Sequence, residues 1–136
     1  MTTIGSAEDQ LAIRSLLEAY GDAVAQNDPK AWGDTWAADA VWEILDQTLT
    51  GRDAIVAFWQ SLMAGFSFTA FAMSIGRIAI DGDRATLRVY VSEELWDKDD
   101  KLTRIKGRYD DELVREGGAW KFAVRKYSVL ISEGMG

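Results

Sequence analysis

The chain has 136 residues, a formal net charge of −7, and neither histidine nor cysteine. Histidine is the usual acid–base group near neutral pH and the commonest metal ligand, so Ser-His-Asp and Cys-His catalysis, Cys/His zinc sites and disulfides are all excluded. Chemistry here must come from carboxylates, Tyr, Lys, Arg or backbone.

With 48% apolar residues and one proline, the sequence reads as a single domain over residues 1–136, large enough for a real core. The acidic balance and the lack of a basic cluster speak against nucleic acid as a partner. No apolar run reaches the ~20 residues needed to span a membrane. Residues 1–5 lack the basic start and apolar core of a leader, and with no cysteine a cytoplasmic location is the default expectation. Six tryptophans exceed ordinary usage and suit a pocket for a flat or aromatic ligand.

Ser6, with Asp9 three residues on, resembles a capping box. Leu11, Ile13, Leu16, Leu17, Tyr20 and Val24 then recur at helical spacing, predicting an amphipathic helix. Asp28 and Pro29 open a short second helix running towards Trp36, as N-cap and first helical residue. Residues 40–45 read as a strand. Thr50, Gly51, Arg52 and Asp53 form a second capping-box pattern, before a helix with Ile55, Phe58, Trp59 and Leu62 on one face.

From Phe68 the period changes to two. Turns are predicted at 81–83, 98–101 and 116–118. Between the first two, Ala85, Leu87, Val89 and Val91 share one face, while Thr86, Arg88, Tyr90, Ser92 and Glu94 share the other. Three helices followed by four long strands in a meander predict an α+β layout with the helices on one face of an antiparallel sheet. So long a sheet must curl, leaving a cone open at one end.

Six segments carry a family likeness in order: residues 13–20, 36–42, 50–55, 78–85, 107–113 and 117–122. Together they resemble the nuclear transport factor 2-like superfamily, in particular its SnoaL-like branch. The resemblance implies a deep apolar cone and, in enzymes of the group, activity without cofactor. Polyketide cyclases, ketosteroid isomerases, dehydratases and formaldehyde lyases share this fold, as do non-catalytic binders, so fold alone does not give function. In the dehydratase-like branch a His–Asp dyad abstracts the proton. Its histidine falls at Met73 and its aspartate at Ala25, so both halves are missing. The polarising arginine falls at Arg125, the pocket tryptophan at Trp42, and an assisting basic residue at Tyr20.

By that resemblance Arg125 is placed in the cavity, where a guanidinium would bind a developing oxyanion. Tyr20 reads either as a core tyrosine or as a hydroxyl holding an enolate. The face bearing Tyr90 and Glu94 meets solvent, a partner or the cavity; in the last case these two are the acid and base candidates. Trp42, Trp59, Met73 and Tyr109 are expected as pocket lining. The acidic runs at 97–100 and 110–112 read as a solvated turn and an alternating strand, so no metal is expected. The expected activity is a cofactor-independent lyase or isomerase for an apolar aromatic or polycyclic molecule, with retro-aldol cleavage suiting the missing histidine. The alternative is a non-catalytic binding or oligomerisation module. A homodimer or homotrimer is expected in either case.

Overall fold

The computed structural model describes residues 5–135, so most of the stretch read for a leader lies outside the described residues. The elements run α1 (Ala7–Gln26), α2 (Pro29–Gly33), β1 (Trp36–Ile44), β2 (Gln47–Thr50), α3 (Arg52–Met63), β3 (Phe66–Asp81), β4 (Arg84–Asp97), β5 (Leu102–Glu116) and β6 (Ala119–Met135).

Local chemistry sets most of these boundaries. The Ser6 hydroxyl accepts the Asp9 N–H at 3.0 Å, and the Asp28 carboxylate accepts the Ala31 N–H at 3.1 Å with Pro29 following it. Asn27 closes α1 in the left-handed region, φ 50. Two expectations are corrected here. Thr50 belongs to β2, so Gly51 is the N-cap of α3, at φ 93 and without a side-chain bond. Leu11 is 65% exposed and lies off the apolar face of α1. Strand β2 had no sequence signal. It returns on β1 through Leu45 and Asp46, both left-handed (φ 52 and 61), a two-residue hairpin turn that usually asks for Asn or Gly.

The strands form one curved, unclosed sheet in the order β2-β1-β6-β5-β4-β3, parallel between β1 and β6 and antiparallel elsewhere. The last four are the expected meander. The helices pack inside the curve. Ile13, Leu17, Tyr20, Ala23 and Val24 of α1 share a core with Leu87, Val89, Leu113 and Phe122 of the sheet. Aromatic rings fill the centre: Trp32 stacks on Trp59 at 4.5 Å and 11°, and meets Trp36 and Trp42 edge-on, each at 61°.

The two ends of the cone differ. At one end Arg115 bonds Asp9 of α1 at 2.6 Å and Asp83 of the β3–β4 turn at 2.9 Å, and lies over Trp120. The other end, where α1 and α3 finish, holds a cavity. Among the described residues, no helix is long and apolar enough to cross a membrane.

Candidate functional site

The cavity measures about 210 Å³. Trp42, Ile44, Trp59, Leu62 and Phe71 supply apolar wall, and Tyr20, Thr69, Glu93, Tyr109 and Tyr127 supply the polar side chains. A second hollow, about 400 Å³, lies on the outer face of the sheet among Arg77, Arg88, Asp110 and Lys126. Apart from the buried Asp111, its charged side chains are exposed, and it has no aromatic wall.

Strand register sets the height of each inward residue. From the closed end upward, the rows across β4, β5 and β6 are Leu87–Asp111–Arg125, Val89–Tyr109–Tyr127, Val91–Gly107–Val129 and Glu93–Ile105–Ser132. Rows on one face are about 7 Å apart, two strand residues.

Arg125 is wholly buried in the lowest of these rows. Its Nε and Nη2 donate to the two carboxylate oxygens of Asp111 at 2.8 and 2.9 Å. Its guanidinium carbon lies 3.6 Å from the ring centroid of Tyr109, 4.3 Å from that of Phe122 and 4.7 Å from that of Tyr20. Nη1 is buried with no hydrogen-bond partner. Burial alone would favour the neutral base, but the Asp111 carboxylate and the surrounding rings hold the guanidinium above its ordinary value. Burial in turn pushes Asp111 up, although Arg125 draws it down. The expected cavity position of Arg125 is therefore corrected. It is not among the lining residues; it sits beneath the tyrosines, because Tyr109 and Tyr20 stack over its face.

Tyr20 and Tyr109 both line the cavity and are 3% and 4% exposed. The indole N–H of Trp42 donates to the Tyr109 hydroxyl at 3.3 Å. An indole nitrogen can only donate, so the Tyr109 oxygen must accept, which leaves its own proton to be given elsewhere. Burial lifts Tyr20 above the ordinary phenol value despite the opposing charge of Arg125. Tyr109 stands well above it, first through burial and then through Tyr20. Both are hydroxyl donors near neutral pH.

Two titratable cavity residues were missed by the sequence reading. Glu93 faces inward, and the Tyr127 hydroxyl donates to its Oε1 at 3.1 Å. Burial raises the Glu93 carboxyl, and the Tyr127 bond opposes the rise. Tyr127 is itself raised, by burial and then by the Glu93 charge. A signal for Glu93 existed: continuing the apolar face Ala85, Leu87, Val89, Val91 by two residues puts a carboxylate on it.

The remaining expected residues divide. Trp42 and Trp59 line the cavity. Met73 is corrected: it packs against the core but is absent from the wall, its Cε lying 3.4 Å from where a Cβ on Gly21 of α1 would be. Ala25 is exposed at the end of α1. Tyr90 and Glu94 are also corrected. Strict alternation along β4 turns both to the outer face, where Tyr90 is 43% exposed and Glu94 pairs with Arg104 at 2.9 Å.

The SnoaL-like domain family matches residues 5–126. No protein of curated function matches the chain by sequence. Among solved structures, a candidate aromatic ring hydroxylase from Novosphingobium aromaticivorans is 29% identical, with 96% of each chain covered and a TM-score of 0.85. A candidate scytalone dehydratase from the same organism is 22% identical, covering 92% of this chain and 86% of that one, at 0.85. A hexachlorocyclohexane dehydrochlorinase from Novosphingobium barchaimii is 16% identical, covering 95% and 91%, also at 0.85. The helices held in an open curved sheet are thus the nuclear transport factor 2-like cone, and the chain belongs to the SnoaL-like domain family.

Proposed function

We propose that this chain is a cofactor-independent lyase or isomerase that moves a proton on a small aromatic molecule held in the cone. The observation that carries the reading is one apolar cavity into which three tyrosine hydroxyls and one carboxylate converge, with a buried cation beneath them. An apolar wall makes each polar group count for more, and a fixed cation below the phenols favours charge developing at their hydroxyls. In this scheme Tyr109 and Tyr20 donate hydrogen bonds to a carbonyl oxygen of the substrate. Arg125 acts through them, by its charge, rather than by touching substrate.

Size narrows the substrate class. An apolar cavity of about 150 Å³ holds benzene, whereas drug-sized ligands occupy about 300–1,000 Å³. The 210 Å³ found here suits a single substituted ring better than a polycyclic one. Dehydratase and dehydrochlorinase neighbours support an elimination or isomerisation. We also propose a cytoplasmic homodimer or homotrimer, for which light scattering at micromolar concentration is the test; a monomer there contradicts it.

Thermal-shift screening with single-ring and steroid-sized ligands tests the main reading, followed by product analysis on each hit. Single-ring ligands are expected to raise Tm and to be converted, with conversion falling in Tyr20→Phe and Tyr109→Phe. A ligand that binds and is recovered unchanged from both the native protein and these variants makes the chain a binding module instead.

A further inference from the structure

We propose that Glu93 is the proton-abstracting group of this cavity and that Tyr127, laid diagonally across Gly107, is the residue that positions it. This rests on the enzymatic reading above and names the residue that moves the proton.

Glu93 is the one carboxylate among the described residues lining the cavity, and the wall holds no lysine. The phenols beside it keep their protons near neutral pH, being lifted by burial. A base must therefore be Glu93 or water. Inside the cavity, the side chains round it that can carry charge are Tyr127 of β6, Tyr109 of β5 and Tyr20 of α1, with Arg125 below; α3 and β3 present only apolar groups and Thr69. At the rim Glu93 also borders an outer hollow whose charged side chains are Glu94 of β4, Arg104 and Lys106 of β5 and Glu133 of β6.

The register explains how Tyr127 reaches it. Tyr127 stands on β6 in the Tyr109 row, and Glu93 stands on β4 two rows higher. Gly107 of β5 occupies the intervening row, midway along the diagonal. The Tyr127 ring lies over it: a Cβ at position 107 would fall 2.5 and 2.6 Å from Cε1 and Cζ of that ring, and on its hydroxyl. Only a residue with no side chain lets the phenol cross β5 and end 3.1 Å from Oε1. That bond engages one carboxylate oxygen and leaves Oε2 to receive a proton.

In the step, ionised Glu93 takes a proton from carbon next to a carbonyl. The C–H pair becomes the enolate double bond, and the carbonyl π pair moves to oxygen, where the Tyr109 or Tyr20 hydroxyl donates to it. The enolate then recovers the same proton from Glu93 at another carbon, or expels a leaving group with its bonding pair while Glu93 returns its proton to that group or to solvent.

The probe is a panel of single-ring aryl ketones with α-protons in D₂O. Exchange is followed by proton NMR, and binding by thermal shift. The native protein is expected to bind and to exchange α-protons faster than buffer. Glu93→Gln should bind as well and lose roughly 100-fold or more of the exchange rate. Tyr127→Phe and Gly107→Ala should each lose about tenfold, the scale of one hydrogen bond to a charged group. Both should move the acid limb of the pH–rate profile upward, since the bond that favours the carboxylate is gone. Gly107→Ala with Tyr127→Phe should be no worse than Tyr127→Phe alone. In ligand-free protein, carbon-13 NMR of the Glu93 carboxyl should titrate above the ordinary carboxylate range and move further up in both single variants. If no ketone binds, the enzymatic reading fails. Binding without exchange, or exchange that survives Glu93→Gln, overturns the base assignment alone. An acid limb and carboxyl titration unmoved by Gly107→Ala overturn the positioning role.

Discussion

The two faces of the curved sheet treat neighbouring, chemically matched residues in opposite ways. Glu94 points out and pairs with Arg104 in water, while Glu93 points into the cavity against Tyr127. Asp110 pairs outside with Arg108, while Asp111 holds Arg125 with neither side chain exposed. Lys126 meets Glu43 outside at 3.8 Å, one residue after the most enclosed cation of the chain. Outside, an ion pair exchanges water for a partner and gains little; inside, each charge depends on its protein partner. The lesson is that the sequence distance between a solvated charge and a chemically tuned one is a single residue.

The largest test of this contrast is Arg125→Met. It strands the Asp111 carboxylate among aromatic rings and should cost about 3–5 kcal/mol in urea unfolding, partly recovered by adding Asp111→Asn. Lys126→Met, on the outer face, should stay within about 0.5 kcal/mol. Equal costs for the two would break the contrast.

Trp42→Phe comes next. It keeps the ring in the wall but removes the donor to Tyr109, and the loss expected is about 1 kcal/mol. Combined with Tyr109→Phe, the cost of the second change should shrink, because the bond is already absent. Strict additivity in that cycle would mean the 3.3 Å contact contributes nothing.

The paired substitutions Glu93→Gln and Glu94→Gln sharpen the comparison through pH. Burial raises the folded-state value of Glu93, so the folded protein holds that proton more tightly than the unfolded chain. Stability from this group is therefore full below the ordinary carboxylate range and is lost as pH rises through the raised value. Gln cannot ionise. Glu93→Gln should accordingly raise Tm at pH 8 and give no gain at pH 4. A Tm gain from Glu93→Gln that is equal at both pH values would contradict the buried-carboxylate account.

Glu94→Gln carries the smallest expectation. It removes an exposed pair, and thermal melts should change by no more than about 0.5 kcal/mol at pH 8. A larger loss would mean that the outer face is covered in solution.

Much of the fold followed from local rules legible in the chain. Ser6 and Asp28 mark helix starts because their side-chain oxygens can satisfy free backbone N–H groups nearby. The three meander turns and the period-two pattern of Arg84–Trp96 follow from the pleat. Such features depend on residues a few positions apart, and a sequence displays those directly. Strand β2 escaped because its turn places Leu45 and Asp46 in a conformation that neither residue announces. The cavity's chemistry escaped for a different reason. The alternation that divides Glu93 from Glu94 is written in the sequence, but which face is enclosed depends on helices packing from the first half of the chain. The diagonal from Tyr127 over Gly107 to Glu93 joins three strands by register, and the placing of Arg125 beneath Tyr109 needs the sheet and α1 together. Composition alone established that histidine and thiol chemistry are absent. Only the tertiary structure decided which carboxylate and which tyrosines share one apolar cavity and which cation lies beneath them, because burial and contact across strands belong to the folded surface and not to any stretch of chain.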